Sequence, residues 1–228
     1  MTTTRSPRRR STRAERLRQG TQERREQEKQ QLREAILEAA GALFLEVGYE
    51  GFSLRQVAER IGYSPGTLYL YFKDKDEVLF TVAEEGFRRF GERIRVAAAS
   101  SDNPRDRLAA LARTYVEFGL RNPVYYQLMF IQRCDFLVKR EIDREPRIAI
   151  FRLFQQAVED AMAAGVLRQG DSQSTSDALW ALMHGVVTLA IRMPMFDEER
   201  THMAVEAALE LLVAGLHCCA PPAAEPPR

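Results

Sequence analysis

With 228 residues, 45% of them hydrophobic, 29% charged and 9% aromatic, the chain has the composition of a soluble globular protein of one or two domains, which excludes fibrous and wholly disordered classes. No uncharged apolar run reaches the roughly 18 to 20 residues of a membrane span, and the N-terminal MTTTRSPRRRSTR lacks the apolar core of a signal peptide, so neither membrane insertion nor export is expected. The net charge of +1 hides an asymmetry: residues 1–30 hold nine Arg and one Lys against four Glu, a sum of +6, which leaves −5 for the rest and points to a polyanionic partner at one end.

Residues 1–30 carry almost no apolar side chains besides Ala14 and Leu17, too few to offset the entropy of ordering, and this arm is expected to be disordered. From Leu32 to His217 apolar residues recur at helical spacing without period-two alternation, which predicts an all-α body of about nine helices. Ile36, Ala39, Ala40, Leu43 and Phe44 share one face of a helix ending near Gly48. Ser53 with Gln56 three residues on has capping-box spacing, and Leu54, Val57, Ala58 and Ile61 form the buried stripe of a short helix that Gly62 stops. Ser64-Pro65 opens another short helix to about Phe72, and Asp74 with Glu77 starts a long fourth one carrying Phe87, Phe90 and Ile94 on one face.

Asn103-Pro104, Asn122-Pro123 and Glu145-Pro146 mark three further helix starts. Ala178 to Ile191 is apolar nearly all round, so that helix must be covered on most of its surface; Met193-Pro194 ends it. The last helix follows Asp197, with Val205, Ala208, Leu209, Leu212 and Leu216 as its stripe. The expected domains are the arm at 1–30, a DNA-binding unit at 31–76, a helical effector and dimerisation unit at 77–218, and a disordered proline-rich tail at 219–228.

Residues 53–72 carry the most specific signal. Two short capped helices meet at Gly62, with small Ala58 where they cross and Leu68 closing the contact, which is helix-turn-helix spacing. The second helix then presents Ser64, Thr67, Tyr69 and Tyr71 outward, with Lys73 and Lys75 just beyond, and hydroxyl and ammonium groups suit phosphates. An ordinary helical hairpin with a polar surface is the alternative, but two caps, a turn glycine and a hydroxyl-rich face agree with one another.

GYEGFSLRQVAERIGYSPGTLYLYFKDKDEVL, residues 48–79, closely resembles the DNA-binding segment of tetracycline-repressor-like transcriptional regulators through Gly48, Phe52, Ser53, Val57, Ala58, Gly62, Ser64, Gly66, Tyr69, Tyr71, Phe72 and Lys75. The resemblance implies a two-fold dimer on double-stranded operator DNA, with Ser64 to Tyr71 as the recognition helix. It further implies base contacts from Arg55 and Thr67, and phosphate contacts from Ser53, Tyr69, Tyr71, Lys73 and Lys75, with Tyr63, Pro65 and Gly66 beside them. Many relatives carry histidine where Tyr71 stands; a tyrosine hydroxyl can still donate to phosphate. ALWALMHGVV, holding Trp180, His184 and Gly185, and NPVYYQLMF at 122–130 resemble a C-terminal domain class of that family named for its Trp-His-Gly order, over residues 100–190.

In that family the C-terminal domain takes up a small molecule. Phe87, Tyr115, Phe118, Tyr126, Met129, Phe130, Phe151 and Phe154 lie on different helices and are expected to line an apolar cavity for an apolar or amphipathic effector, although a solid core explains each one singly. Trp180 and His184 are added as effector contacts, with core packing as the alternative for both. The family pattern also pairs the last two helices, from about Ser174 to Ile191 and about Glu198 to His217, with their mates in a homodimer. Repression is the expected sign of regulation.

No cofactor, metal site or catalytic group is expected. His184, His202 and His217 are far apart and lack ligand spacing, there is no phosphate-binding glycine loop, nothing beside Cys218 or Cys219 would clearly activate a thiol, and Cys134 next to Arg133 is a similarly weak case. Three cysteines with such spacing fit a reducing, cytoplasmic compartment. The arginine-rich arm lacks the apolar face of a membrane anchor and reads as an added DNA contact, or else a plain tail. Rival classes are an architectural nucleic-acid binder without effector and an all-helical carrier or enzyme.

Overall fold

The computed structural model describes residues 13–131 and 145–215, which form nine α-helices and no strand. By contact they form two compact units, Met1–Leu79 and Phe80–Arg228. Cys134, His217, Cys218, Cys219 and the tail at 219–228 lie outside the described residues, as do the first twelve.

The first helix, α1, spans Arg13–Gly51 and departs from the sequence expectation, because residues 13–30 are helical. Arg, Glu and Gln are good helix formers, and pairs four residues apart support the exposed turns: Gln19 Nε2 donates to Glu23 Oε1 at 3.1 Å and Gln30 Nε2 to Glu34 Oε1 at 2.7 Å. The helix is nucleated downstream, where Ile36, Ala40, Leu43 and Phe44 are buried, and extension from a formed nucleus is easy. Burial alone is therefore the wrong criterion for this arm. The helix kinks at Gly48 (φ 67°), close to its expected end.

α2 (Leu54–Ile61) begins at Ser53, whose Oγ accepts from Gln56 N at 3.3 Å and donates to Gln56 Oε1 at 2.6 Å. It ends at Gly62, whose φ of 75° is the left-handed conformation that side chains with a Cβ resist. α3 (Pro65–Tyr69) opens at Ser64 and is shorter than expected, so Tyr71 falls in the turn beyond it. α4 (Lys75–Ala98) starts where Asp74 Oδ1 accepts from Glu77 N at 2.8 Å. Leu54, Val57 and Ala58 of α2 join Leu68, Phe72, Val78 and Leu79 and the apolar face of α1 in the core of the first unit.

In the second unit α5 (Pro104–Arg121) packs against α7 (Glu145–Ala163), α8 (Ser172–Arg192) and α9 (Glu198–Gly215). Between them lies α6 (Pro123–Tyr126), which continues as a π-helical turn over Gln127–Ile131. α5 and α8 approach so closely at Gly119 that a Cβ there would meet Val187 Cγ1 at 2.5 Å. Asn103, Asp171 and Asp197 cap α5, α8 and α9 through their side chains. Asn122 does not cap α6; its Nδ2 donates back to Phe118 O at 3.0 Å, closing the end of α5. Arg107 ties α5 to Asp160 of α7 at 2.5 Å, and Arg113 ties it to Glu206 of α9 at 2.7 and 2.8 Å. No helix among the described residues is long and apolar enough to cross a membrane.

Candidate functional site

In the first unit α3 is held by one buried side chain, Leu68, and most of its other residues face solvent. Tyr63 is 48% exposed and Tyr69 58%; Ser64, Pro65 and Gly66 are exposed, and Thr67 and Tyr71 half-buried. Ser64 Oγ accepts from Thr67 N at 3.2 Å and shares a hydrogen bond with Thr67 Oγ1 at 2.9 Å, so cap and side chain brace one another. Arg55 is exposed and paired with Glu59 at 3.1 Å, a weak surface pair that a stronger anion can displace. Lys73 is exposed as well.

Two of the expected DNA contacts are engaged locally. Ser53 spends its hydroxyl on Gln56. Lys75 Nζ donates to Tyr49 O at 3.0 Å and lies 4.0 Å from the centre of the Tyr49 ring, pinning the segment after the Gly48 kink to the start of α4. Tyr49 Oη in turn donates to Asp76 Oδ1 at 2.6 Å, and that bond, aided by burial, pushes the phenol up to about 12. Leu70 was not anticipated: it is 82% exposed. The available signal was Leu68, because two residues on a helix are about 200° apart, so a buried Leu68 turns its second neighbour outward.

In the second unit the ten side chains expected around an effector come together. Tyr115 and Phe118 come from α5, Tyr126, Met129 and Phe130 from α6 and its π turn, Phe87 from α4, Phe151 and Phe154 from α7, and Trp180 and His184 from α8. Phe130 lies within ring contact of Phe87 (5.7 Å), Tyr115 (6.0 Å), Tyr126 (5.2 Å), Trp180 (6.4 Å) and His184 (6.4 Å). Phe151 stacks edge-on to Trp180 at 5.4 Å, and Phe154 reaches Tyr115 at 6.3 Å. A side chain on Gly86 would meet Met129 Sδ at 2.7 Å, so the sulfur takes up that gap on α4. Phe90, which lay on the predicted stripe of α4 outside the expected site, touches Tyr115, Phe118 and Phe130. Tyr115, Tyr126 and Phe118 form the floor, whereas Phe87, Phe130, Phe151 and His184 are half-buried and Trp180 is 38% exposed.

A chain of hydrogen bonds crosses this cluster. Trp180 Nε1 donates to Tyr115 Oη at 2.9 Å, the Tyr115 and Tyr126 hydroxyls are 3.0 Å apart, and Tyr126 Oη is 2.6 Å from His184 Nδ1. Indole can only donate, so Tyr115 Oη accepts from Trp180, and the two tyrosine hydroxyls and His184 Nδ1, which also lies 3.4 Å from Tyr115 Oη, form one connected polar group. Burial pushes His184 down, Tyr115 up to about 12 and Tyr126 higher still, so the chain is uncharged at neutral pH. His184 Nε2 has no hydrogen-bond partner among the described residues and is available to an incoming polar group.

The sign of the pH effect follows. The unfolded imidazole titrates near 6.5 and the folded one lower, so between those values the unfolded chain binds the additional proton and stability falls with acidification. Glu46, Glu85 and Glu206, held below the usual carboxylate value of 4.5 by arginine partners, add their losses only at lower pH. Thermal melts from pH 7 to pH 5 are therefore expected to show a declining Tm that His184→Gln flattens; an equal slope in the variant would contradict this assignment.

Among the described residues no three His, Cys, Asp or Glu side chains are grouped to hold a metal ion. Two family models match the chain: bacterial regulatory proteins of the tetR family over residues 36–82, and the tetracyclin repressor-like C-terminal domain over residues 108–216. The fatty acid metabolism regulator protein of Bacillus subtilis is 23% identical over 186 residues, 80% of this chain and 94% of that one. A protein of unknown function from Rhodococcus sp. RHA1 is 30% identical, with a TM-score of 0.66 over 82% of this chain and 96% of its own. The transcriptional regulator FadR from Bacillus subtilis, solved in complex with stearoyl-CoA, shares the fold at 20% identity, with a TM-score of 0.63 over 80% and 98% of the two chains.

Proposed function

The chain belongs to the tetR family of bacterial transcriptional regulators, and from that premise we propose that it is a homodimeric repressor that grips a pseudo-palindromic operator through α3 and lets go when an amphipathic molecule occupies the aromatic cluster. The observation that carries the DNA half of this reading is the exposure of Ser64, Tyr69 and Leu70 around a single buried anchor, Leu68. Hydroxyls there suit phosphates and base edges, and a protruding leucine suits a thymine methyl group. Arg55 and Lys73 add positive charge, and the helical extension of α1 from Arg13 supplies further phosphate contacts.

Dimerisation is supported by what α8 and α9 leave uncovered. Leu182 and Leu189 on α8 and Met193 at its C-cap, with Met203 and Leu211 on α9, are exposed apolar side chains that a second copy would cover. Two copies must place their recognition helices about 34 to 36 Å apart to enter successive major grooves. The second domain is then the effector domain, and its assignment to the Trp-His-Gly class is supported by the cluster that Trp180 and His184 share.

The effector is a long-chain acyl thioester in this reading, supported by the stearoyl-CoA named for one structural relative and by a cluster that pairs an apolar rim with an unpartnered imidazole nitrogen, His184 Nε2, which in its protonated tautomer donates to a carbonyl. Effector and operator are linked through one protein, so each must weaken the other by the same factor. Titrating stearoyl-CoA calorimetrically into the dimer, alone and saturated with a duplex selected from a random library, is expected to give at least a fivefold weaker Kd in the second case. Equal affinities would overturn the switch.

A further inference from the structure

We propose that Arg147 is the anion-receiving residue of the effector site and that an effector binds by taking Arg147 away from Glu84. The inference rests on the reading of the aromatic cluster as that site. Arg147 sits in the first turn of α7, and its side chain is only 17% exposed. It faces a stripe of α4 formed by Phe80, Glu84 and Phe87, at helical spacing. The guanidinium carbon lies 4.5 Å from the centre of the Phe87 ring and 5.9 Å from that of Phe80, and Nη2 pairs with Glu84 Oε1.

This arrangement leaves the guanidinium underused. A carboxylate or phosphate that engages both prongs of an arginine makes two parallel hydrogen bonds, whereas Glu84 takes one nitrogen. Arg147 Nε is buried without a hydrogen-bond partner among the described residues, a state that is rare in a protein interior. A bound anion would satisfy that donor.

The position of the cation defines the ligand. One turn further along α7, Phe151 packs on Trp180, while Phe87 packs on Phe130, which reaches both Trp180 and His184. Arg147 is thus the charged end of a continuous, half-buried aromatic rim, complementary to a molecule with an apolar body and an anionic head, either carboxylate or phosphate. The head and Glu84 are both negative and compete for one guanidinium, so binding is an exchange. The side chain released belongs to α4, whose first residues are part of the DNA-binding unit.

Trp180 is the only tryptophan in the chain, so its emission reports occupancy of the rim directly. The full-length protein is titrated, below micellar concentrations, with dodecanoate, dodecyl phosphate and neutral dodecanol. In the native protein at least one anion binds more tightly than dodecanol, and the responsive head group identifies the effector's. Arg147→Gln weakens that anion by about tenfold or more and leaves dodecanol unchanged, Arg147→Lys retains part of the preference, and Glu84→Gln tightens the anion. An anion preference that survives Arg147→Gln, a loss shared equally by dodecanol, or weaker anion binding in Glu84→Gln would overturn the exchange. If dodecanol binds and these variants do not discriminate, the effector site stands without its anchor; if no probe changes Trp180 emission, the site and the anchor fall together.

Discussion

Alanine at both Thr67 and Tyr69 is expected to weaken operator binding by 100-fold or more while the protein remains a dimer. Neither side chain supports the fold: Tyr69 is largely exposed, and Thr67 Oγ1 bonds only Ser64, whose cap to the Thr67 backbone N–H persists in the variant. Leu68, the residue that fastens α3, stays in place. Two lost contacts at about 1 to 3 kcal/mol each amount to roughly 3 kcal/mol, about two powers of ten in affinity. Fluorescence anisotropy with a labelled operator measures the loss, and sedimentation of the same sample measures the dimer. A variant that falls apart into monomers, or one that binds as tightly as the native protein, would remove α3 as the recognition element.

Phe90→Ala is expected to cost about 3 to 5 kcal/mol of stability, the range for truncating a buried aromatic. Its ring is 1% exposed and meets Tyr115 at 5.6 Å, Phe118 at 5.1 Å and Phe130 at 5.9 Å, so three further rings lose a neighbour with it. Phe151, half-buried on the rim, should lose much less when changed to alanine, because solvent and Trp180 already share its surface. Urea unfolding followed by Trp180 emission separates the two. Equal, small losses would mean that the floor of the cluster relaxes freely and cannot transmit a ligand's presence to α4.

Local chemistry explains why so much of this architecture could be read from the residues. Ser53, Ser64, Asp74, Asn103 and Asp197 satisfy helix N–H groups within three residues of themselves, and Gly62 adopts a conformation set by its missing Cβ. The aromatic cluster was legible for a different reason: helical periodicity assigns each ring to an inner face, and five inner faces in one unit converge. What escaped depends on partners distant in sequence or on competing propensities. The continuation of α1 through residues 13–30 reflects helix-forming side chains that a burial argument discounts. Lys75 turns back to Tyr49, 26 residues away, and Arg147 meets Glu84 across 63 residues, contacts that no local pattern encodes. Asn122 had two uses open to it, and closing α5 won over opening α6.

The π turn at Gln127–Ile131 gives the cluster a reserve of length. Its bonds reach back five residues instead of four, so the backbone there holds one residue more than an ordinary coil of equal rise. Tightening that turn to an ordinary α-helical register would rotate its far end by about 100° and carry Phe130 off the indole and imidazole it now touches. A change of one residue in the length of this turn would therefore alter which rings meet at the rim.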